Sequence, residues 1–291
     1  MVAHSWIGLA GSALLIISAP RLAAQDQRTA MLNTERATSE LSRDSGLADA
    51  ALSHFHRDGI LLWPGAPVVA GTSDLKRLLA ALPTDSLQLT WQPLGIELSR
   101  DSSLSVTWGV AVASAGGSAP TPEIGSYIAA WRRDGARWTI AALVFAGLRR
   151  LPESASSGKI PLSRKAIQAR GASAPFIAAD IAFARLAADS GAPVAFARWA
   201  APEAVTFGDR GLLTRGPEAI GRAVDFPAAW QWHPVAAGAA RSGDLGWTVG
   251  EATITGTKGA SHSKYLTIWT RGSDGAVRFL TDGGNGRPVS P

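Results

Sequence analysis

The chain has 291 residues, of which 46% are hydrophobic and 18% are charged, and this balance excludes an intrinsically disordered protein. The net charge of +5 comes from dispersed Lys and Arg residues without a basic run, so it gives no support for a nucleic-acid partner. The lack of cysteine excludes disulfide bonds and thiolate metal ligands. A chain of this length suits two domains of ordinary size.

An apolar stretch near the N-terminus, residues 6–19, is followed by the small pair Ala23 and Ala24. The stretch is short for a bilayer span, but it matches the apolar core of a secretory signal peptide. We therefore expect residues 1–24 to be a signal peptide cleaved after Ala24, and the mature protein to be periplasmic or secreted. An uncleaved membrane anchor is the alternative. After cleavage, no stable membrane span is expected.

Residues 25–148 are predicted to begin with helices and to end with strands. Turns are indicated at Pro64-Gly65 and at Asp134-Gly135. Ser73 is predicted to cap a helix, because its hydroxyl can accept a bond from a free backbone N–H. In chain order we expect helices at 25–40 and 47–55, short strands at 60–63 and 68–70, a helix at 74–82, and long strands at 87–98, 104–113, 127–133 and 138–145.

Residues 149–172 are predicted to be a linker, and residues 173–291 repeat the order of the first half. The helix after the linker is the clearest one, because Phe176, Ala179, Phe183 and Leu186 recur at spacings of three and four. We expect helices at 174–188, 193–199 and 216–223, short strands at 205–207 and 212–213, and long strands at 230–239, 245–255, 264–271 and 277–282.

The two halves are copies of one pattern. SGDLGWTVGEA at 242–252 and KYLTIWTR at 264–271 return, less clearly, as SSLSVTWGVA at 102–111 and YIAAWRR at 127–133. The offset stays near 140 residues over several landmarks, so we interpret the chain as one fold written twice. Helices first and strands last predict the α+β class, with a helix lying across a curved antiparallel sheet in each copy. Such a sheet encloses a cone-shaped pocket at its open end.

Three motifs of the second copy point to a known family. They are GDLGWTVG at 243–250, Tyr265 with Trp269, and Asp282 with Asn285 and Pro288. With these motifs the chain resembles the SnoaL-like and domain-of-unknown-function 4440 branch of the nuclear transport factor 2-like (NTF2-like) superfamily, the cystatin-like α+β cone. The resemblance is specific over 174–288 and fainter over 35–148.

The resemblance implies two tandem NTF2-like cones, a degenerate one at 25–148 and a second at 173–291. Single-domain relatives form homodimers, so it also implies that the two copies pack through their sheets as a pseudo-dimer within a monomeric chain. The superfamily includes ketosteroid isomerase, polyketide cyclases, dehydratases and members without a known reaction. The resemblance therefore implies architecture rather than activity.

Side-chain alternation along the strands predicts a pocket in the second copy. We expect the face of one strand that bears Trp247 and Glu251 to turn toward the helix together with the face that bears Tyr265 and Trp269. Mostly apolar walls with a few polar groups are typical of a small-molecule site. The predicted ligand-binding residues are Trp232, His233, Trp247, Glu251, Tyr265, Trp269 and Asp282.

Comparison of the copies places function in the second one. Glu251 aligns with Val110, Trp247 with Val106, and Asp282 with Ala142, whereas Tyr265 and Trp269 recur as Tyr127 and Trp131. A residue needed for folding should recur, so the tyrosine and tryptophan pairs are predicted to be core residues. The candidate catalytic residues are Glu251, Asp282 and Asp180, and the last of these aligns with Glu35.

Each polar candidate also has a structural interpretation. Glu251 could face solvent, Asp282 could cap a turn, and His233 could be a surface histidine. His54 and His56 have the one metal-like spacing, but residues two apart on a helix diverge, so the pair could share an ion only on a strand or loop, and no metal is expected. No cofactor motif is present.

Binding of a small, largely apolar molecule without catalysis is the preferred function. A cofactor-free isomerase, cyclase or dehydratase of ketosteroid-isomerase type is the first alternative, because it needs carboxyl groups beside a tyrosine. A structural or protein-interaction role is the second alternative.

Overall fold

A computed structural model describes residues 19–82, 87–115, 122–148 and 171–288. Most of the predicted signal peptide and nearly all of the predicted linker lie outside these residues, so both remain predictions. The first helix begins at Ala19, before the expected cleavage point at Ala24. We call residues 19–148 the first unit and residues 171–288 the second unit. None of the described helices is long and apolar enough to cross a membrane.

The described residues of the first unit form three helices and a six-stranded sheet in the order β2-β1-β6-β5-β4-β3. Strands β3 to β6 form an antiparallel meander, and β1 joins β6 in parallel. The elements are α1 (Ala19–Ser45), α2 (Leu47–His54), β1 (Phe55–Leu62), β2 (Val69–Ala70), α3 (Thr72–Ala81), β3 (Leu87–Leu98), β4 (Leu104–Ala115), β5 (Glu123–Asp134) and β6 (Arg137–Ala146).

The second unit repeats this arrangement, with the sheet order β8-β7-β12-β11-β10-β9 and with β7 parallel to β12. Its elements are α4 (Ala174–Ser190), α5 (Ala192–Trp199), β7 (Ala200–Phe207), β8 (Leu213–Arg215), α6 (Pro217–Ala223), β9 (Ala228–Ala239), β10 (Leu245–Gly256), β11 (Gly259–Arg271) and β12 (Val277–Gly286).

The predicted fold class, two α+β units in tandem, is confirmed. Each sheet nevertheless has six strands and is mixed, where the sequence predicted a four-stranded antiparallel sheet. The difference arises because the short hairpin before the meander returns to the free edge of its last strand, whose backbone N–H and C=O groups would otherwise lack partners. The predicted cap at Ser73 is also wrong. Gly71 precedes the helix with a φ of 83°, and α3 begins at Thr72.

One irregularity recurs at the same place in both sheets. Pro93 opposes Gly109 where β3 and β4 shift register, and Pro234 opposes Gly250 where β9 and β10 shift register. Proline has no backbone N–H, so it cannot donate a hydrogen bond to the neighbouring strand. The bulge therefore interrupts the strand pairing at a point where one hydrogen bond would be missing in any case. The shared bulge fixes which residues of the two units are equivalent.

Three apolar cores hold the described part of the chain together. Helices cover one face of each sheet, around Trp131 in the first unit and around Phe183 and Trp269 in the second. The other faces of the two sheets pack against each other in a core that includes Ile128 and Leu266. Both faces of each sheet are therefore buried.

Polar contacts at the rim tie the two units together. In the β9–β10 turn, the Arg241 backbone N–H donates to the Ser103 hydroxyl at 3.0 Å. In the β3–β4 turn, the Arg100 backbone N–H donates to the Asp244 carboxylate at 3.0 Å. The Ser242 hydroxyl donates to Asp101 at 3.0 Å. The two equivalent turns thus hold each other reciprocally.

The side-chain amide of Asn285 also joins the two units, and a buried lysine orients this amide. The Asn285 amide nitrogen donates to the carbonyls of Leu62 and Phe145, both at 2.8 Å. Lys264 Nζ donates to Asn285 Oδ1 at 2.5 Å and to the Gly286 carbonyl at 2.8 Å. An ammonium group can only donate, so it keeps the amide oxygen toward itself and the amide NH₂ toward the first unit.

Removal of the Asn285 side chain should destabilise the protein strongly. Asn285→Ala leaves two carbonyls of the first unit and the Lys264 amine short of partners, and we expect a loss of about 2–4 kcal/mol in the free energy of unfolding. Urea unfolding followed by fluorescence measures it. Arg241→Gln, which removes only an exposed ion pair with Asp101 between the units, is the control and should change the free energy little. Equal small effects of both variants would contradict the role given to Asn285.

Candidate functional site

The register of β10 and β11 divides the predicted pocket between two faces of the sheet. Trp247 lies opposite Ile268, whereas Tyr265 lies opposite Gly250. Directly opposed residues share a face, so Trp247 and Tyr265 point to opposite sides. The expectation that their faces turn together toward the helix is wrong. The two-residue turn between Gly256 and Gly259 sets this register.

Trp247, Glu251 and His233 therefore lie away from the helix. Trp247 belongs to the core between the two sheets. Glu251 is partly buried, and its carboxylate lies 3.5 Å from the Arg287 guanidinium. His233 opposes Glu251 and is exposed. None of the three can share one pocket with Tyr265.

The helix-facing side holds the other predicted residues around a buried carboxyl group. Asp180 of α4 has no exposed surface. Its Oδ1 accepts bonds from the Tyr265 hydroxyl at 2.9 Å and from Trp232 Nε1 at 3.1 Å. Burial raises the pKa of Asp180 to about 6, although these two bonds oppose the shift. Trp269 Nε1 donates to the Thr248 hydroxyl at 2.8 Å, next to this carboxyl group.

The first unit contains the same cluster. The Thr107 hydroxyl donates to Glu35 of α1 at 2.8 Å and accepts from Trp131 Nε1 at 3.0 Å. Burial raises the pKa of Glu35 to about 7. Burial, followed by the Glu35 charge, raises the pKa of Tyr127 well above its usual value. Because the cluster recurs, its first role is to fasten the long helix to the sheet.

Sequence reasoning missed the two threonines, although the repeat contains a signal for them. Thr107 lies two residues before Gly109, and Thr248 lies two residues before Gly250. A threonine that recurs on a buried face can supply the hydroxyl that a buried carboxyl group requires.

The first unit has no carboxyl group at the position equivalent to Asp282. Tyr127 opposes Phe145, and Tyr265 opposes Gly284, so the register makes Asp282 equivalent to Leu143. The predicted alignment with Ala142 was wrong by one residue. Asp282 also lies within β12, which continues to Gly286, and not in a turn.

The environment of Asp282 raises the pKa of its carboxyl group toward neutral pH. The side chain is partly buried, and its Oδ2 accepts a bond from the Thr267 hydroxyl at 2.5 Å. Burial raises the pKa of Asp282 to about 7, and the nearby charge of Asp180 adds to this effect against the Thr267 bond. The group can therefore exchange a proton near neutral pH.

Aromatic rings fill the space between α4 and the sheet. The Phe183 ring lies 4.7 Å from Trp232 and 4.9 Å from Phe196, measured between ring centroids. Trp269 has no exposed surface, and Tyr265 is 9% exposed. The prediction that Tyr265 and Trp269 belong to the core is confirmed by this burial.

The histidine pair lies where α2 passes into β1. His54 is the last residue of α2, and its Nδ1 is 3.3 Å from the Ala50 carbonyl. His56 lies in β1 beside Asp58 and Asp134. Among the described residues, no three His, Asp or Glu side chains are grouped so that they could hold a metal ion.

No protein-family model matches the sequence, and no curated protein sequence matches it. Solved structures match parts of it. An NTF2-like protein with a cystatin-like fold from Novosphingobium aromaticivorans is 17% identical, with a TM-score of 0.37, over 51% of this chain and 99% of that one. A ketosteroid isomerase-like protein from Erwinia carotovora atroseptica is 13% identical, with a TM-score of 0.33, over 39% of this chain and 93% of that one.

The buried carboxyl groups of Glu35 and Asp180 should make the free energy of unfolding depend on pH. Their pKa values are raised in the folded protein, so the folded state binds more protons than the unfolded state between about pH 4 and pH 7. The free energy of unfolding should therefore fall as the pH rises through this window. Glu35→Gln and Asp180→Asn should each reduce the slope, because an amide cannot ionise.

Urea unfolding at pH 5, 6 and 7 measures these slopes. The control is Glu218→Gln, since Glu218 lies on the exposed side of α6. A wild-type slope that neither Glu35→Gln nor Asp180→Asn alters would contradict the assignment.

Proposed function

We propose that the second unit binds a small, largely apolar molecule on the helix-facing side of its sheet, beside Asp282. The supporting observation is a set of three equivalent positions at which the two units differ. Leu89, Leu143 and Phe145 of the first unit are fully or almost fully buried. The registers make them equivalent to Trp230, Asp282 and Gly284.

The first unit fills this end of its sheet with apolar side chains. Phe145 packs on Trp91 at 5.8 Å and on Trp63 at 6.3 Å, measured between ring centroids. Gly284 has no side chain to make such contacts. The first unit therefore serves as a closed scaffold, and the second unit has the composition of a recognition site.

The polar groups at these positions can orient a ligand. Trp230 Nε1 is buried and has no hydrogen-bond partner among the described residues. A buried unpaired donor costs about 1–3 kcal/mol, which a ligand acceptor would recover. Asp282 adds a carboxyl group that can act as donor or acceptor, since its pKa of about 7 allows both forms.

The proposal includes the wider setting of this site. Both units are NTF2-like domains of the SnoaL-like type, which is supported by their shared element order and by the sequence motifs of the second unit. The units form a pseudo-dimer, supported by the core between their sheets and by the reciprocal turn contacts. The apolar stretch at 6–19 supports export to the periplasm or the exterior.

A second candidate function is acid–base catalysis of an isomerisation, cyclisation or dehydration. It is favoured by two carboxyl groups with pKa values of about 6 and about 7, Asp180 and Asp282, on the same side of the sheet as the Tyr265 hydroxyl. A carboxyl group that titrates near neutral pH can both remove and return a proton.

Native mass spectrometry of the exported protein tests the proposed binding. The wild type should retain a small molecule, and Asp282→Leu, which restores the residue of the first unit, should release it. Asp282→Asn keeps the shape of the site. It should retain the ligand if the protein only binds, and it should reduce turnover by about 100-fold or more if Asp282 is an acid–base catalyst.

Glu251→Gln is the matched control, because Glu251 lies on the opposite face of the sheet, and it should retain the ligand as the wild type does. Circular dichroism confirms that each variant is folded. Retention of the ligand by folded Asp282→Leu would contradict this location, and a wild type without ligand that also binds none from an extract would contradict the function.

A further inference from the structure

A groove on the outer side of the second unit is separate from the site beside Asp282. It lies between α4, the end of α5 and the start of β12, and it encloses about 600 Å³. We propose that this groove binds an organic anion with an apolar body, such as an aryl or alkyl carboxylate or sulfonate. The residues that matter to this argument are Ala178, Ala182, Arg198, Trp199, Val277 and Arg278.

The groove exists because one tryptophan of the first unit is a valine in the second. Trp138 opposes Arg133 in the first sheet, and Val277 opposes Arg271 at the equivalent place in the second. Trp138 is 2% exposed, and the Arg133 guanidinium lies over its ring at 5.8 Å. Val277 is only partly buried and lines the groove. The space that an indole fills in one unit is thus open in the other.

The floor of the groove suits an apolar body. Ala178 and Ala182 lie one turn apart on the same side of α4, and their small side chains leave room above the helix. Trp199 supplies an aromatic wall at the end of α5. A volume of about 600 Å³ falls within the range of sites for small molecules.

The charges at the groove favour an anion. Arg198 is exposed and has no ion-pair partner among the described residues. Arg278 contacts Asp274 at 2.9 Å, so its charge is partly compensated. The residues that line the groove include no acidic side chain. A guanidinium group pairs with the two oxygens of a carboxylate or sulfonate through parallel hydrogen bonds, which makes Arg198 the principal anchor.

Fluorescence titration of the full chain with 1-anilinonaphthalene-8-sulfonate, an aromatic anion, tests the proposal. The wild type should bind the probe saturably. Val277→Trp, which installs the residue of the first unit, should abolish this binding. Because added volume can strain a packed site, Ala178→Leu is the second variant. Ala178 is exposed on α4, so leucine there narrows the groove without crowding the core.

Arg198→Gln separates the charge from the shape of the groove. It should weaken the binding of the anionic probe about tenfold and leave that of the neutral probe N-phenyl-1-naphthylamine unchanged. Arg241→Gln makes the same chemical change at the exposed β9–β10 turn, outside the groove, and should leave the binding of both probes unchanged. Val277→Trp, Ala178→Leu and Arg198→Gln test the groove, whereas Asp282→Leu tests the other site, so failure of this proposal is distinguishable from failure of the proposed function.

Near-UV circular dichroism shows whether each variant keeps its packing. Three results would overturn the proposal: no saturable binding to the wild type, undiminished binding to folded Val277→Trp and Ala178→Leu, or equal effects of Arg198→Gln on the two probes.

Discussion

The packing of the two sheets against each other determines where every other group of this protein can lie. Leu266 and Ile268 of the second sheet have no exposed surface, and they belong to one core with Val106 and Ile128 of the first. Helices already cover the opposite faces, so each sheet is buried on both sides. Buried residues therefore follow one another without alternation in β11, where residues 264–269 are all buried. A single unit on its own would expose a large apolar face to water.

Polar groups inside this arrangement fall into two kinds with opposite responses to pH. Glu35, Asp180 and Asp282 have raised pKa values, so their contribution to stability is complete below about pH 4 and is lost as the pH rises to about 6 or 7. Lys264 behaves in the opposite way. Burial, followed by the Arg287 charge, lowers its pKa from 10.5 to about 7, so the unfolded state binds more protons between those values.

The contribution of Lys264 to the free energy of unfolding therefore rises as the pH increases from about 7 toward 10.5. The carboxyl groups lower stability up to about pH 7, and the lysine raises it beyond that point. These four groups alone place a minimum of stability near neutral pH, because the contribution of the carboxyl groups has been lost there and that of the lysine has not yet been gained.

The sequence predicts features that depend on neighbouring residues better than features that depend on pairing. The bounds of β3 were predicted to the residue at 87–98, and α4 was predicted within two residues, because local periodicity and turn residues determine them. The division of Trp247 and Tyr265 between two faces was not predicted. Alternation shows which residues of one strand share a face, but only the register shows which faces adjoin.

Because local sequence patterns do not show how strands pair, two further predictions were wrong. The parallel pairing of β1 with β6 joins segments about 80 residues apart, and no local pattern reports it. The equivalence of Asp282 with Leu143 depends on strand pairing, because the β11–β12 connection is one residue longer than the β5–β6 connection. Arg271 opposes Val277, whereas Arg133 opposes Trp138. Candidate residues could thus be chosen from the sequence, whereas their grouping required the pairing of strands.

The duplication explains why one unit can contain groups that would weaken an isolated domain. The first unit fills its equivalent positions with Leu89, Trp138, Leu143 and Phe145, all at most 2% exposed. These four side chains lie on the helix-facing side of the first sheet, and its other face, around Ile128, packs against the second sheet. The second unit keeps the shared carboxyl cluster that fastens its helix, and it replaces those four side chains with Trp230, Val277, Asp282 and Gly284. Each replacement removes apolar contacts or adds a polar group, and the packing between the sheets offsets the loss. The same replacements form both the polar end of the sheet beside Asp282 and the outer groove, so the divergence of one copy accounts for both of the sites that we propose.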